Sequence, residues 1–145
     1  MCGISGIYNC FNKDIESKRI IEKIIQIQNN RGPDGNATWT SDCKKIIFGH
    51  NRLSIIDLSD KASQPFISKD KNFIITFNGE IYNYKEIKKD LIQKNILFKS
   101  NSDTEVIVEA YKYWGLESLK RFRGMFSFAI WLSLIHISEP TRLGM

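Results

Sequence analysis

The sequence predicts a single α+β layered domain. Short β-branched and aromatic runs alternate with longer segments whose apolar residues recur at helical spacing. Two of those helical segments follow one another without a strand between them. A regular β-α-β alternation and an internal repeat are both missing, which argues against a parallel doubly wound sheet or a solenoid.

Taken in order, Ile4 and Ile7 flank glycines in a strand-like opening. Ile20, Ile21, Ile24, Ile25 and Ile27 then recur between charged residues and predict an amphipathic helix. It ends at Asn29-Asn30-Arg31-Gly32-Pro33-Asp34-Gly35, where Gly and Pro force a turn-rich loop. Strand signals follow at residues 37–40, 45–48 and 53–56. Phe73-Ile74-Ile75-Thr76-Phe77 is a strong strand signal running into Asn78-Gly79, a pair suited to a tight turn or a special backbone conformation, so Asn78 is expected at a strand end. A helix is predicted from Asn83, with Glu86 completing a capping-box-like start and Tyr84, Ile87 and Leu91 on one face. Ser102-Asp103-Thr104-Glu105 is a capping box that puts Asp103 in a helix's first turn; Val106, Ala110 and Trp114 form the apolar stripe, and Gly115 marks the stop. Phe126, Phe128 and Ile130 alternate with Met125, Ser127, Ala129 and Trp131, the pattern of a core strand covered on both faces.

The chain's 145 residues and 42% hydrophobic content suit one globular domain. Lys and Arg outnumber Asp and Glu by 21 to 16, but Lys85, Lys88, Lys89 and Lys94 are interleaved with acids on a helical stretch. That is a solvated face, and no nucleic-acid partner is expected. Cys2, Cys10 and Cys43 lack close spacing, and His50 and His136 complete no zinc pattern, so neither a disulfide framework nor a bound metal is expected. No signal segment or membrane-length apolar run is visible, and a reducing cytoplasm is the expected location.

Chemistry enters at the second residue. Removal of Met1 would leave Cys2 with a thiol and a free α-amine. With reference pKa values of about 8.5 and about 8, the amine can accept the thiol proton as sulfur attacks a carbonyl, with no histidine required.

Five collinear stretches place Cys2 in a wider pattern: Met1-Cys2-Gly3-Ile4-Ser5-Gly6, Arg31-Gly32-Pro33-Asp34-Gly35, His50-Asn51-Arg52-Leu53-Ser54-Ile55-Ile56-Asp57, Phe77-Asn78-Gly79-Glu80-Ile81-Tyr82-Asn83 and Ser102-Asp103-Thr104-Glu105. Together they resemble the class II glutamine amidotransferases, and more narrowly the N-terminal glutaminase domain of glutamine-hydrolysing asparagine synthetases. The resemblance implies an N-terminal-nucleophile hydrolase fold, two antiparallel sheets sandwiched between helical layers. It covers residues 1–131, and the domain is expected to be incomplete at its C-terminus.

By that resemblance, Cys2 attacks the glutamine amide and forms a thioester, releasing ammonia, while Asn78 and Gly79 stabilise the oxyanion. Arg52 grips the substrate α-carboxylate. Asp103 binds its ammonium, helped by Glu80 and by main-chain groups along Leu53, Ser54, Ile55 and Ile56. His50 is read as structural rather than as a base, and the 31–35 loop as a shaped loop near the substrate rather than a phosphate cradle. Glutamine is the expected substrate. The ammonia would feed ATP-dependent asparagine synthesis from aspartate in a synthetase domain in cis, where ATP and Mg would bind. This chain itself shows no P-loop and no pyrophosphate loop, so no cofactor is expected within it. The resemblance also admits a homodimer. Two alternatives stand beside this reading: the glutaminase domain of another class II amidotransferase, or a catalytically inactive interaction module. Residues 132–145 fall outside the resemblance and are similar to translated sequencing-adapter sequence. They are expected to be an artefactual tail without functional roles, His136 included, and activity of the 145-residue chain is expected to be low.

Overall fold

The computed structural model describes residues 1–9, 14–54 and 59–133. Strands β1 (Gly3–Tyr8), β2 (Gly35–Thr40) and β3 (Ile46–Arg52) form one antiparallel sheet in the order β1-β3-β2. Strands β4 (Phe66–Ile67), β5 (Phe73–Ile81) and β6 (Gly124–Leu132) form a second, in the order β4-β5-β6. Helix α1 (Asp14–Ile27) covers the first sheet, whereas α2 (Tyr84–Gln93) and α3 (Asp103–Trp114) pack on the second. The two sheets face each other through β1, β3 and β5, giving the expected order of helix, sheet, sheet, helix.

Strand alternation explains these layers. Ile75, Phe77 and Ile81 point from β5 toward Ile87 and Leu91 of α2 and Ile107 of α3, forming the larger apolar core. The intervening Thr76 points toward the other sheet and donates to the Gly49 carbonyl at 3.3 Å. On the first sheet, Ile21 and Ile25 are buried and close over Gly49 of β3. Ile20 and Ile27 are exposed, so the apolar face of α1 is narrower than its isoleucine content suggests.

Several local expectations are corrected. The 45–48 strand continues to Arg52; Leu53 and Ser54 are irregular, and residues 55–56 of the expected 53–56 strand lie outside the described residues. Strand β5 does not turn at Asn78-Gly79 but runs through to Ile81, because β6 pairs along its whole length. Gly79 accommodates that continuation at φ 141°, where a Cβ would collide with the Met125 carbonyl. Asn83 precedes α2 without capping it; its side chain accepts from Arg123 N–H and donates to the Arg121 carbonyl, both at 2.9 Å. Ser102 does cap α3, but Glu105 turns to the Lys99 and Ser100 amides instead of closing a reciprocal box. Finally, among the described residues β6 lies at the sheet edge and is not covered on both faces: Phe128 and Ile130 pack on the core while Met125 is 70% exposed. Among the described residues, no helix is long and apolar enough to cross a membrane.

Candidate active site

The β1–β3 ladder brings the first two functional groups together. Gly3 pairs with Asn51, and continuing that register by one residue puts Cys2 beside Arg52. Leu53, just beyond β3, donates its N–H to Cys2 Sγ at 3.3 Å, and its carbonyl accepts from the thiol at 3.6 Å. The 31–35 loop braces this junction. Arg31 Nε donates to the Cys2 carbonyl at 3.4 Å, and Asp34 Oδ2 accepts from Ser54 N–H at 2.8 Å. Gly32 lies so close to Asn51 and Arg52 that a Cβ would strike their backbone, which is why this bend carries glycine. Arg52 Nη2 donates to the Ser59 carbonyl at 2.9 Å.

The second sheet supplies the opposite wall. Asn78 shares the inter-sheet face of β5 with Thr76, and its enclosed Oδ1 has no hydrogen-bond partner among the described residues. Asp103 opens α3, buried behind the cap of Ser102, and its Oδ2 accepts from Ile81 N–H at 3.2 Å. Burial pushes its carboxyl up; backbone N–H groups pull it back in part, and the neighbouring Glu80 charge adds to the rise. His50 is also buried. Its Nε2 lies 3.2 Å from the Phe77 carbonyl, a contact that places the ring proton on Nε2, and burial pushes its pKa down to about 4, so it is neutral at physiological pH. The Arg52 charge acts in the same direction.

Cys2, Arg52, Leu53, Ser54, Asn78, Gly79, Glu80 and Asp103 all border one cavity of about 290 Å³, a volume suited to a small ligand. Met1 lies in the same wall. Ile55 and Ile56 lie outside the described residues. Sequence reading missed Gln64: its Oε1 accepts from Phe77 N–H at 2.6 Å and its Nε2 donates to Thr104 Oγ1 at 3.3 Å. A glutamine next to a proline carries no such signal in one dimension. Strand pairing alone reveals it.

The arrangement combines a thiol, an amide-bearing strand, a guanidinium and a carboxylate on opposing walls, a set able to hold a zwitterionic amino acid and attack its side chain. Comparison with known proteins agrees. The glutamine amidotransferase domain family matches residues 1–135. Asparagine synthetase [glutamine-hydrolyzing] 1 of Bacillus subtilis is 36% identical over 98% of this chain and 22% of its own length. A putative asparagine synthetase [glutamine-hydrolyzing] 2 of Methanocaldococcus jannaschii is 38% identical over 90% of this chain and 27% of its own length. The chain therefore spans about a quarter of these relatives. Among solved structures, the glutamine phosphoribosylpyrophosphate amidotransferase from B. subtilis superimposes with a TM-score of 0.67 at 21% identity, covering 91% of this chain and 35% of that one, a likeness of fold.

Proposed function

This chain belongs to the glutamine amidotransferase domain family, and from that premise we propose that it releases ammonia from the side-chain amide of glutamine through Cys2. The observation that carries the reading is the convergence of Cys2, Arg52, Asn78, Gly79 and Asp103, drawn from separate stretches of sequence, on one cavity.

Removal of Met1 frees the Cys2 α-amine, which takes the thiol proton as Sγ bonds to the amide carbon. The carbonyl electrons move onto oxygen, stabilised by the Asn78 side-chain amide and the Gly79 N–H. Collapse of the tetrahedral adduct breaks the carbon–nitrogen bond; the departing nitrogen takes the proton held by the amine and leaves as ammonia. Water then repeats the sequence on the thioester and releases glutamate. Arg52 pairs with the substrate α-carboxylate, and Asp103, with Glu80 nearby, pairs with its ammonium. Leu53 and Ser54 supply backbone at the same wall. Binding thus fixes both ends of the amino acid while chemistry occurs at the third group.

In the full-length protein we assign the ammonia to asparagine synthesis, performed by a synthetase domain in cis that uses ATP and Mg; the names and lengths of the relatives support this. We place the protein in the cytoplasm, whose reducing conditions suit the free Cys2 thiol. A homodimer is the assembly to look for by sedimentation.

Glutamine-dependent ammonia release, measured alongside intact mass, tests the core of the reading. Processed protein should be active and Cys2→Ala inactive. Full turnover by protein uniformly retaining Met1 would overturn the amine as base, and no ammonia from processed protein would overturn the activity itself.

A further inference from the structure

Residues two apart in a strand send their N–H groups to the same edge. Phe77, Gly79 and Ile81 are such a series on β5, and side chains rather than a strand receive the outer two. Gln64 Oε1 accepts from Phe77 N–H at 2.6 Å, and Asp103 Oδ2 accepts from Ile81 N–H at 3.2 Å. Gly79 lies between them on the cavity wall.

The arrangement arises where β4 stops. Phe66 and Ile67 pair with Ile75 and Ile74, and continuing this register puts Gln64 opposite Phe77. There the Gln64 side-chain carbonyl replaces a main-chain carbonyl in the ladder. His50 Nε2 bonds the other polar group of the same residue, the Phe77 carbonyl, at 3.2 Å. The residue immediately before Asn78 is therefore clamped at both of its main-chain groups. The far end of Gln64 donates to Thr104 Oγ1, next to Asp103. One side chain joins the strand that bears Asn78 and Gly79 to the helical turn that bears Asp103.

We propose that Gln64 is a positioning residue for glutamine hydrolysis, fixing the oxyanion donors Asn78 and Gly79 at a set distance from Asp103. The proposal rests on the glutaminase reading above. Glutamine must reach Asp103 with its ammonium and Asn78-Gly79 with its amide oxygen at once, so the spacing of these groups decides whether a bound substrate is aligned for attack. Misplacement by about 1 Å can cost about 10²-fold in rate.

The test uses the Met1-processed full-length protein with Gln64→Met, which loses both bonds at similar volume, and Gln64→Glu, which keeps an oxygen to accept from Phe77 N–H. Four quantities are read: kcat, KM for glutamine, the rate of Cys2 alkylation by iodoacetamide, and amide hydrogen exchange at Phe77. Gln64→Met should lower kcat by about 10–100-fold with KM and alkylation changed by less than about threefold, and exchange at the Phe77 amide should accelerate. Gln64→Glu should recover a large part of the lost kcat. The proposal is overturned if Gln64→Met keeps wild-type kcat, raises only KM, or slows alkylation in parallel with turnover, or if Gln64→Glu is as impaired as Gln64→Met. Should the processed wild-type protein release no ammonia, the glutaminase reading fails and exchange alone decides the brace: faster exchange in Gln64→Met supports it, and unchanged exchange overturns it.

Discussion

The two sheets contribute to one cavity but are held by different forces. Around β5 the scaffold is apolar: Ile75, Leu91, Val106 and Ile107 are fully buried in a continuous core that fixes the strand bearing Asn78 and the helix bearing Asp103. Around Cys2 and Arg52 the scaffold is polar. Arg31, Asp34 and Leu53 hold that wall through hydrogen bonds, several of them exposed. Apolar packing is the stronger restraint, and short polar braces are the more adjustable one. Damage to the two walls should therefore separate stability from activity.

The largest contrast sets Cys2→Ala against Leu91→Ala. Cys2→Ala should reduce turnover to background while leaving the thermal midpoint near wild type, because the hydrogen bonds of the half-buried thiol to Leu53 are long and weak. Leu91→Ala should cost about 2–5 kcal/mol of stability yet preserve turnover per folded molecule. Calorimetry with active-site titration by a thiol reagent checks both. Similar stability losses in the two would erase the distinction between the walls.

Within the second wall, Asn78→Ala should lower kcat by about 10²–10³ with little effect on KM, as loss of one oxyanion donor does. Gly79→Ala should fail differently, losing the fold as well, because its Cβ would meet the Met125 carbonyl at a φ that L-residues rarely adopt. A pure KM effect in Asn78→Ala would remove it from the oxyanion role.

Asp103→Asn tests the same wall with opposite signs. Burial raises the Asp103 carboxyl in the folded protein, so the ionised side chain opposes folding at neutral pH. The wild type regains that stability as pH falls through the raised folded value, fully below the ordinary aspartate range. Asp103→Asn, which keeps an oxygen for Ile81 N–H, should melt higher than wild type at pH 7, with the difference closing in acid. Its KM for glutamine should nevertheless rise about tenfold or more, the worth of a charged hydrogen bond. A lower melting temperature at pH 7 would mean that the carboxylate is held by contacts stronger than its burial cost.

Periodicity made the helices and most strands legible, since local apolar spacing dictates them. Motif spacing made Cys2, Arg52 and Asp103 legible because each lies at an element boundary, Cys2 before β1, Arg52 closing β3 and Asp103 opening α3, whereas Asn78 and Gly79 lie inside β5. Features that depend on pairing between distant segments were hidden. The passage of β5 through Asn78-Gly79 requires β6 alongside it, and a dipeptide that favours turns gives no hint of that partner. Met125 is exposed beside the cavity, whereas its alternation with Phe126 and Phe128 reads as burial. Gln64 matters only because it lies two residues before β4 and opposite Phe77.

The smallest effect belongs to the polar brace of the first wall. Asp34 receives Ser54 N–H on its carboxylate at 2.8 Å, and its own N–H donates to the Arg52 carbonyl at 2.9 Å, so the residue straddles the segment that carries both the guanidinium and the Leu53 contact to sulfur. Asp34→Ala removes only the side-chain bond. An exposed hydrogen bond of this kind contributes about 0.5–1.5 kcal/mol, which corresponds to roughly twofold to tenfold if it is expressed wholly in substrate binding. The expected result is a rise in KM of that size with kcat and melting temperature unchanged, while Asp34→Asn, which retains an acceptor for Ser54 N–H, should lie between Asp34→Ala and wild type. A fall in kcat instead would show that the brace acts through Leu53 on the sulfur rather than through Arg52 on the substrate. It would shift the role of the loop from holding glutamine to aiming the nucleophile.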